Sequence, residues 1–326
     1  MADAGGIVNV SADLASLAGD LRDRLPDATT GNASFADLST YRVGGPVAVL
    51  VRVRGVDALV TVAEAARRHQ PRLLVTGRGS NLLMSDAGFS GLVVVLEGDF
   101  EAIDVLEQSP GALRAGGAVP LPVLARRAAA AGLAGLEFYV GIPGSVGGAV
   151  RMNAGGHGRE TVEVLRRAWV LDLLGEEPPT ARARDVTELE LGYRRSNLQP
   201  SEVVTAAEFA VSPDDAAACE ARVAEIVRWR REHQPGGQNA GSVFRNPPGD
   251  SAGRLIEAAG LKGLRVGGAV VSEKHANFFQ AEAGATARDV LDLVAEVQRR
   301  VAKATGVELV PELHVVGDDA GDQGAR

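Results

Sequence analysis

Residues 73–81 read Leu-Leu-Val-Thr-Gly-Arg-Gly-Ser-Asn, a short apolar run that passes directly into a glycine-rich turn. The apolar run predicts a buried strand, and Gly77 and Gly79 let the backbone after it approach a ligand closely. Successive N–H groups of such a turn can hold a diphosphate, and the side chains of Ser80 and Asn81 add donors. A plain turn between two elements explains the same residues, and neither the dinucleotide fingerprint nor a Walker motif is present.

The segments around this turn alternate between strand and helix patterns. Helix patterns cover residues 56–69, which end before Pro71, and residues 120–131. Short β-rich segments cover residues 47–53, 73–75, 92–96, 169–174 and 203–211. This alternation predicts α/β units in the first two thirds of the chain.

A second glycine-rich segment lies at residues 141–156, with six glycines in sixteen residues. Its other residues are mostly small or apolar, which is unusual for a solvated loop and would let an extended ligand lie on the backbone. A sharp structural loop is the alternative. Together with residues 40–45 and 77–81, the segment fits one long cofactor with a diphosphate in its middle.

The last third changes character. Residues 212–215, Ser-Pro-Asp-Asp, predict a helix start with Ser212 as the N-cap and a proline in the first helical position. The helix should end near residues 234–237, where we expect a domain boundary. A second helix should begin at Thr286 and end at Gly306, and an alternating strand should follow over residues 307–316.

Composition excludes several classes of protein. The chain has 326 residues, of which 45% are hydrophobic and 23% charged, as in globular proteins of two or three domains. Its net charge of −8 argues against a nucleic-acid-binding protein whose affinity rests on bulk positive charge. The single cysteine, Cys219, excludes an internal disulfide, and the five histidines lack metal-ligand spacing, so we predict no metal. No signal peptide and no apolar run near ~18 residues is present, which predicts a soluble cytoplasmic protein.

Three polar residues are candidates for chemistry. Arg194 and Arg195 are adjacent on a predicted strand, so one can enter a pocket, where arginine suits a carboxylate or phosphate. Ser242 lacks the spacing of a nucleophile elbow but can pass a proton if it is held in position. Glu312 would have a raised pKa if it were buried. On the local patterns alone, a surface arginine and a turn-capping serine are favoured, and the burial of Glu312 stays open.

Further motifs follow one another along the chain. They are Thr40-Tyr41-Arg42-Val43-Gly44-Gly45, Gly77-x-Gly79-Ser80-Asn81, Gly141-Ile142-Pro143-Gly144-Ser145-Val146-Gly147-Gly148-Ala149, Asn153-Ala154-Gly155, Gly192-Tyr193-Arg194, Gly241-Ser242-Val243-Phe244-Arg245-Asn246-Pro247, Ala252-Gly253-x-Leu255-Ile256, Gly260-Leu261-Lys262-Gly263, Ser272-Glu273-Lys274-His275-Ala276-Asn277-Phe278 and Pro311-Glu312. In this order they resemble the UDP-N-acetylenolpyruvoylglucosamine reductase (MurB) family over nearly the whole chain, from about residue 39 to residue 317.

The resemblance implies a fold and a domain division. It implies an α+β protein with an FAD-binding fold of the PCMH/vanillyl-alcohol-oxidase type, built from two α/β subdomains, and a separate C-terminal α+β substrate domain. We therefore predict FAD-binding subdomains over residues 1–98 and 99–212, a substrate domain over 213–317 and a disordered tail over 318–326.

The resemblance also implies an activity. NADPH would reduce noncovalently bound FAD, which in turn would reduce the enolpyruvyl ether of a UDP sugar to a lactyl ether, giving UDP-N-acetylmuramate for peptidoglycan synthesis. Hydride transfer from flavin N5 would leave negative charge that Arg194 and a protonated Glu312 stabilise, and Ser242 would supply the proton. The UDP sugar is the implied partner, with no nucleic acid, membrane or obligate protein partner.

Binding residues follow from the same motifs. For FAD they are Thr40, Arg42, Gly77, Gly79, Ser80, Asn81, Leu82, Gly141, Ile142, Pro143, Gly144, Ser145, Gly147, Gly148, Asn153, Ala154 and Gly155. For the substrate they are Tyr193, Asn246, Lys262 and His275.

Within the family this chain resembles the type that lacks a Tyr-bearing insertion. Only about seventeen residues separate Arg194 from Ser212, and no Tyr follows Tyr193. Arg245 stands where Lys is common in the family, and Gln280-Ala281 stand where the family often has an Asn.

Two other functions stay open on the residues alone. A PCMH-type oxidase acting on an alcohol or sugar explains both glycine-rich segments, but not residues 241–247 or Glu312. A nucleotide-sugar-binding or regulatory module without catalysis would carry no flavin.

Overall fold

The computed structural model describes residues 12–106, 111–176 and 178–319. Its helices are α1 (Ala12–Arg24), α2 (Val56–His69), α3 (Leu121–Ala130), α4 (Val146–Met152), α5 (Ala216–His233), α6 (Ala252–Ala258) and α7 (Ala287–Thr305). Its strands are β1 (Thr29–Ser34), β2 (Pro46–Val53), β3 (Leu73–Thr76), β4 (Leu82–Met84), β5 (Phe89–Leu96), β6 (Ile103–Val105), β7 (Ala112–Gly116), β8 (Leu133–Ala134), β9 (Gly155–Gly156), β10 (Arg159–Glu160), β11 (Leu165–Asp172), β12 (Arg182–Asp185), β13 (Glu202–Ala210), β14 (Ser212–Pro213), β15 (Arg265–Val266), β16 (Ala269–Val271), β17 (Phe279–Ala281) and β18 (His314–Val316).

The first sheet has the strand order β1-β2-β5-β3. Strands β2, β5 and β3 run parallel, and β1 pairs antiparallel with β2 at one edge. Helices α1 and α2 cover one face, where Leu17, Leu21 and Val62 are buried with β2 and β5 side chains. Because the carboxyl ends of the three parallel strands meet at one edge, the glycine-rich turn that follows β3 leaves the sheet there.

The second sheet is antiparallel, with the strand order β12-β11-β13-β7-β6. Helices α3 and α5 cover it, and Leu124, Phe138, Tyr139 and Phe209 lie in the core between them. Helix α4 begins inside the second glycine-rich segment and buries Val146 and Val150 in the same core. The second segment is therefore attached to this sheet.

The C-terminal part forms a third core around α6, α7 and the small sheet β15-β16-β17. Tyr41 and Val43, from the segment before β2, are also buried in this core. Strand β18 pairs in parallel with β4, and the Asp86 carboxylate accepts hydrogen bonds from the N–H groups of Ala287 and Arg288, both at 2.9 Å. The C-terminal part is thus fastened to the first part by a strand pair and a helix cap.

This arrangement confirms the predicted α+β architecture of two α/β subdomains and a C-terminal α+β part. Within the described ranges, no helix has the length and apolar character needed to cross a membrane.

The start of helix α5 differs from the sequence prediction. Ser212 and Pro213, predicted as the N-cap and the first helical residue, instead form strand β14 and pair with β8. The helix begins after Asp215, whose carboxylate accepts a hydrogen bond from the Ala218 N–H at 2.9 Å. Asp caps a helix as well as Ser does, so pairing with β8 decides where the helix begins.

Helix α5 packs with the second sheet and not with the C-terminal core. Its Cys219 and Val223 side chains are buried beside the α3 residues of that subdomain. The division at residues 212 and 213 stays a prediction, and this packing favours a boundary after His233.

The predicted final strand is shorter than its alternating pattern indicates. Only His314–Val316 pair as a strand, while Pro311, which has no N–H, makes an isolated bridge with Phe244. Asp318 accepts a hydrogen bond from the Ser90 N–H at 2.9 Å and pairs with Arg72 at 2.7 Å. These contacts hold Asp318, the disordered tail over residues 318–326 stays a prediction, and residues 320–326 lie outside the described residues.

Removing the cap that joins the two parts should destabilise the fold. In Asp86→Ala, two N–H groups of α7 lose their acceptor, and we expect a loss of about 1–2 kcal/mol in the free energy of unfolding, measured in urea. Asp57→Ala is the control, since this first-turn aspartate of α2 has no side-chain hydrogen bond to the described residues. It should cost less than about 0.5 kcal/mol; equal losses in both variants would contradict the capping role.

Candidate active site

A cavity of about 1120 Å³ lies between the two subdomains. Its walls come from residues 36–40 and 42 and from the carboxyl ends of β2, β3 and β5. The residues after β7, the start of β13, and α4 with Ser145 before it form the other side. Gly237 and Gln238, which follow α5, complete it. The volume slightly exceeds the ~300–1,000 Å³ of ordinary small-molecule sites, as an extended dinucleotide requires.

The first glycine-rich turn packs against both walls. A Cβ atom on Gly77 would clash with Ser145 Oγ, and one on Gly79, whose φ is +55°, would clash with the Leu38 carbonyl oxygen. Ser80 Oγ donates a hydrogen bond to the Pro143 carbonyl oxygen at 3.1 Å. The two glycine-rich segments therefore touch each other directly, which the sequence predicted only as two contributions to one cofactor.

The second segment uses part of its backbone for its own attachment. The N–H of Val146 donates to the Val119 carbonyl at 3.0 Å, and the N–H of Gly147 donates to the Gly117 carbonyl at 2.8 Å. These two donors are already bonded to protein. Gly148 lines the cavity and has open space beside it. The atom nearest to a Cβ added there would be Ser145 Oγ, at 3.9 Å.

Arg194 lies in a tight turn beside the second segment. Its backbone is left-handed, with φ of 55°, and Gly192 and Arg195 close the turn by backbone hydrogen bonds. Asn153, the residue that ends α4, donates from Nδ2 to the Gly192 carbonyl at 3.1 Å. The arginine Nε forms a hydrogen-bonded ion pair with Glu312 Oε1, while its buried Nη1 makes no hydrogen bond to the described residues and forms a longer ion pair with Glu160 Oε1 at 3.8 Å.

Glu312 is held through its backbone from two sides. Its N–H donates to the Val243 carbonyl at 2.7 Å, and its carbonyl accepts from Asn81 Nδ2 at 3.2 Å. Burial raises the pKa of the Glu312 carboxyl, and the positive charges of Arg194 and Arg245 oppose that rise. The question that the sequence left open is thus answered, since the Glu312 side chain is only 13% exposed.

Ser242 lies on the segment that holds Glu312. It makes an isolated antiparallel bridge with Phe278 and directly precedes Val243, the backbone partner of Glu312. Its side chain is half-buried and has no hydrogen-bond partner among the residues described. The structure thus brings Arg194, Ser242 and Glu312 to neighbouring positions from three separate parts of the sequence.

Of the four predicted substrate residues, Tyr193 contacts this cluster, through Arg194. Tyr193 is 46% exposed and lies under the Arg194 guanidinium, 4.9 Å from ring centroid to Cζ. Asn246 Oδ1 accepts from the Ala252 N–H at 3.1 Å, and Lys262 Nζ pairs with Glu257 at 2.6 Å. Burial, aided by the Lys262 charge, lowers the pKa of His275, whose ring contacts that of Phe278.

The predicted FAD residues fall into two sets. Those that line the cavity are Thr40, Arg42, Gly77, Ser145, Gly147 and Gly148. Those outside its lining are Gly79, Ser80, Asn81, Leu82, Gly141, Ile142, Pro143, Gly144, Asn153, Ala154 and Gly155. Several of the second set hold the loops, as Asn81 and Asn153 do, whereas Gly141 packs against His157.

Sequence reasoning missed several lining residues. Gly117 and Ala118 follow β7 as Gly77 follows β3, so the same pattern of a strand followed by glycine could have identified them. Thr76 lies between the strand predicted over residues 73–75 and the turn that begins at Gly77, and the sequence patterns assign it no role. Arg52 and Glu97 form an ion pair at the ends of β2 and β5, and no local pattern marks them.

The cavity between two subdomains has the size of a dinucleotide, and a largely buried Arg–Glu pair lies beside it. Together with the family matches that follow, these features place the protein in the class of flavin-binding oxidoreductases. Residues 47–176 match the FAD binding domain family, and residues 233–316 match the C-terminal domain of UDP-N-acetylenolpyruvoylglucosamine reductase. The chain belongs to the UDP-N-acetylenolpyruvoylglucosamine reductase family.

Individual relatives agree over most of their length. The protein of that name from Alkalilimnicola ehrlichii is 42% identical over 285 residues, which are 87% of this chain and 93% of the relative. The one from Paramagnetospirillum magneticum is 43% identical over 310 residues, 91% of this chain and 96% of the relative. The crystal structure of UDP-N-acetylenolpyruvylglucosamine reductase (MurB) from Thermus caldophilus superposes with a TM-score of 0.75 at 38% identity, covering 87% of this chain and 97% of that chain.

The cavity fits FAD on its own chemistry. Thr40 Oγ1 and Thr76 Oγ1 are buried without a hydrogen-bond partner among the residues described, and both threonines line it. The lining contains both acidic and basic side chains, and among the basic ones Arg42, Arg78 and Arg151 offer guanidinium groups of the kind that bind a diphosphate. The described residues contain no group of three or more His, Cys, Asp or Glu side chains arranged to hold a metal ion.

A side chain added at Gly148 should occupy the cofactor space. In Gly148→Leu we expect the dissociation constant of FAD to rise about tenfold to a hundredfold, because overpacking costs ~1–3 kcal/mol. Fluorescence titration of the apoprotein measures it. Gly19→Leu is the control, a helical glycine with nothing within 4 Å of an added Cβ. Undiminished FAD affinity in Gly148→Leu would contradict this placement of the cofactor.

The raised pKa of Glu312 should appear in the pH dependence of stability. Between the ordinary pKa of 4.5 and the raised one, the folded state holds a proton that the unfolded state has lost, so stability falls as pH rises through this interval. The stability of the wild type relative to Glu312→Gln should therefore fall from pH ~4.5 upward. Urea unfolding of both proteins at several pH values measures this difference in the free energy of unfolding. If the wild type instead gained stability over Glu312→Gln as the pH rises, the pKa of Glu312 would be lowered and not raised.

Proposed function

We propose that this protein reduces the enolpyruvyl ether of UDP-N-acetylglucosamine-enolpyruvate to the lactyl ether of UDP-N-acetylmuramate, with NADPH as the reductant. The relatives named above carry the name of this reductase. The observation that carries the proposal is the buried Arg194–Glu312 pair, which Asn153 and Asn81 fasten to the two loops that form the FAD cavity.

FAD held by a lining that includes Thr40, Arg42 and Gly148 would supply the hydride chemistry between NADPH and the terminal carbon of the enolpyruvyl group. The chain itself must place that group and stabilise the negative charge that develops as the adjacent carbon gains electrons. A preorganised site does this best, since its donors need no reorganisation during the reaction.

Arg194 is the residue for the substrate carboxylate. Its buried Nη1 makes no hydrogen bond within the described residues but lies 3.8 Å from Glu160 Oε1, so a substrate carboxylate would compete with Glu160 for it while Nε remains with Glu312. Asn153 fixes the turn that carries Arg194. In the proposed reaction the positive charge of the Arg194 guanidinium stabilises the developing enolate.

Glu312 acts as a hydrogen-bond donor in its protonated form. Burial already raises the pKa of this carboxyl, and a bound substrate carboxylate would raise it further by adding a negative charge nearby. A protonated Glu312 then stabilises the developing enolate without repelling it.

Ser242 supplies the proton to the carbon next to the carboxylate. Its hydroxyl has no partner among the described side chains, and its neighbour Val243 holds Glu312 by the backbone. The half-buried position lets the hydroxyl reach both substrate and solvent, as a proton donor must.

Tyr193, Asn246, Lys262 and His275 are proposed to bind the UDP sugar. Lys262 and Arg194 supply positive charge, while the exposed Tyr193 ring gives a flat surface at the entrance. A cytoplasmic location and the absence of other partners stay predictions.

An anaerobic reaction tests the function directly. The purified holoprotein, reduced with NADPH, should be reoxidised by the UDP-enolpyruvyl sugar and yield UDP-N-acetylmuramate. Failure of the sugar to reoxidise the flavin would refute the reaction, and steady oxygen consumption with simple alcohols would indicate an oxidase.

Ser242→Ala should separate the two halves of the reaction. Reduction of the flavin by NADPH should stay near the wild-type rate, because no proton is delivered to substrate carbon in that step. Reoxidation by the sugar should slow by ~10²-fold or more, the usual scale for a positioned general acid. Stopped-flow absorbance measures both, and Ser242→Cys should recover part of the rate.

A structural serine provides the control. Ser251 caps α6, since its hydroxyl accepts from the Arg254 N–H at 3.2 Å. Ser251→Ala should lower stability and slow neither half-reaction selectively. Equal reoxidation rates for Ser242→Ala and the wild type would eliminate the proposed proton donor.

A further inference from the structure

Thr76 carries a buried hydroxyl whose hydrogen bonding the protein leaves unfinished. The residue is 6% exposed, lines the FAD cavity, and its Oγ1 has no hydrogen-bond partner in the described chain. Burying a hydroxyl without a partner costs free energy, so such groups are rare unless a ligand completes them.

The fold of strand β3 does not call for a hydroxyl at this position. Thr76 is the last residue of β3 and pairs with Val95 of β5. Side chains alternate along a strand, so Thr76 shares a face with Leu74, which packs against the core that contains Val93 and Val95. Valine has the same branched shape and would satisfy this apolar environment, so the hydroxyl is extra to the needs of folding.

The surroundings of the hydroxyl indicate the chemistry of its missing partner. Gly77 follows directly and lies against Ser145, where the two glycine-rich segments meet. Arg78 and Arg42 line the same cavity, and the hydroxyl of Thr40, also buried without a partner, belongs to its wall. Positive charge, close backbone and unbonded hydroxyl groups together suit a phosphate oxygen.

We propose that the Thr76 hydroxyl donates a hydrogen bond to a diphosphate oxygen of bound FAD, so that this threonine is a cofactor-binding residue. The inference rests on the flavin chemistry proposed above. A hydroxyl of the adenosine ribose is the competing partner, and the experiment distinguishes it.

This role predicts opposite effects on the free and the loaded protein. In Thr76→Val the apoprotein loses an unsatisfied buried group and should unfold at the same temperature as the wild type or higher. The loaded protein loses a charge-assisted hydrogen bond and should bind FAD about tenfold more weakly. A purely structural hydroxyl would lower the stability of both forms and leave the FAD affinity unchanged.

The experiment compares apoprotein unfolding with the binding of three probes. Thermal unfolding is measured on the apoprotein, and FAD, ADP and adenosine are titrated by calorimetry or flavin fluorescence. For Thr76→Val we expect FAD and ADP to weaken alike, by about tenfold, and adenosine to bind as it does to the wild type. Thr76→Ser, which keeps the hydroxyl, should bind FAD within about threefold of the wild type.

Thr29→Val is the matched control on the opposite edge strand of the same sheet. Its hydroxyl donates to the Leu25 carbonyl oxygen at 2.9 Å, so its loss should lower apoprotein stability and leave FAD affinity unchanged. Unchanged FAD and ADP affinity in Thr76→Val would overturn the inference, and weakening of adenosine to the same degree would overturn the diphosphate as partner. Failure of the wild type itself to bind FAD would instead refute the proposed function.

Discussion

The ion pair between Arg194 and Glu312 is the contact on which the assembly of this site depends. It joins residues 118 positions apart, one beside the second sheet and one on the segment leading into β18. Both side chains are largely withdrawn from water, at 19% and 13% exposure, so the loss of either partner would leave a poorly solvated charge. The left-handed backbone at Arg194 adds strain that a free loop would release, and the Asn153 hydrogen bond to Gly192 keeps the turn closed.

Hydrogen bonds also connect Glu312 to the two loops beside the cofactor cavity. Asn81 belongs to the loop after β3 and bonds to the Glu312 carbonyl, while Ser80 of that loop bonds to Pro143 of the second segment. A displacement of either loop would therefore move the acid as well as the cofactor. If these residues act as proposed, this support fixes their geometry before substrate binds.

Much of the fold could be predicted because its signals are local. Helix α2 has the predicted bounds, and the Thr286 capping box and the Gly306 end of α7 are observed as predicted. The predicted start of α5 at Ser212 is wrong, because Ser212 and Pro213 pair with β8, which is distant in sequence, and this pairing outweighs a good local cap. The final strand was too long because an alternating pattern records burial, and Leu309 and Leu313 are buried without a ladder of strand hydrogen bonds.

The candidate site shows the same limit. Ordered motifs indicated Arg194, Ser242 and Glu312, but no local pattern could tell that Glu312 is buried, or that Arg194 and not Arg195 reaches it. Thr76 belongs to the stretch 73–81, yet what distinguishes it is a buried hydroxyl without a hydrogen-bond partner among the described residues. Such a feature exists only in three dimensions.

The pairing of β4 with β18 has a consequence for the synthesis of the protein. Every residue that lines the cofactor cavity lies between positions 36 and 238, whereas Glu312 leaves the ribosome more than seventy residues later. Domains generally fold as they are synthesised, N-terminal part first. The nascent chain thus carries all the residues that line the cavity before it carries Glu312, and the proposed acid reaches the site only when β18 pairs with β4.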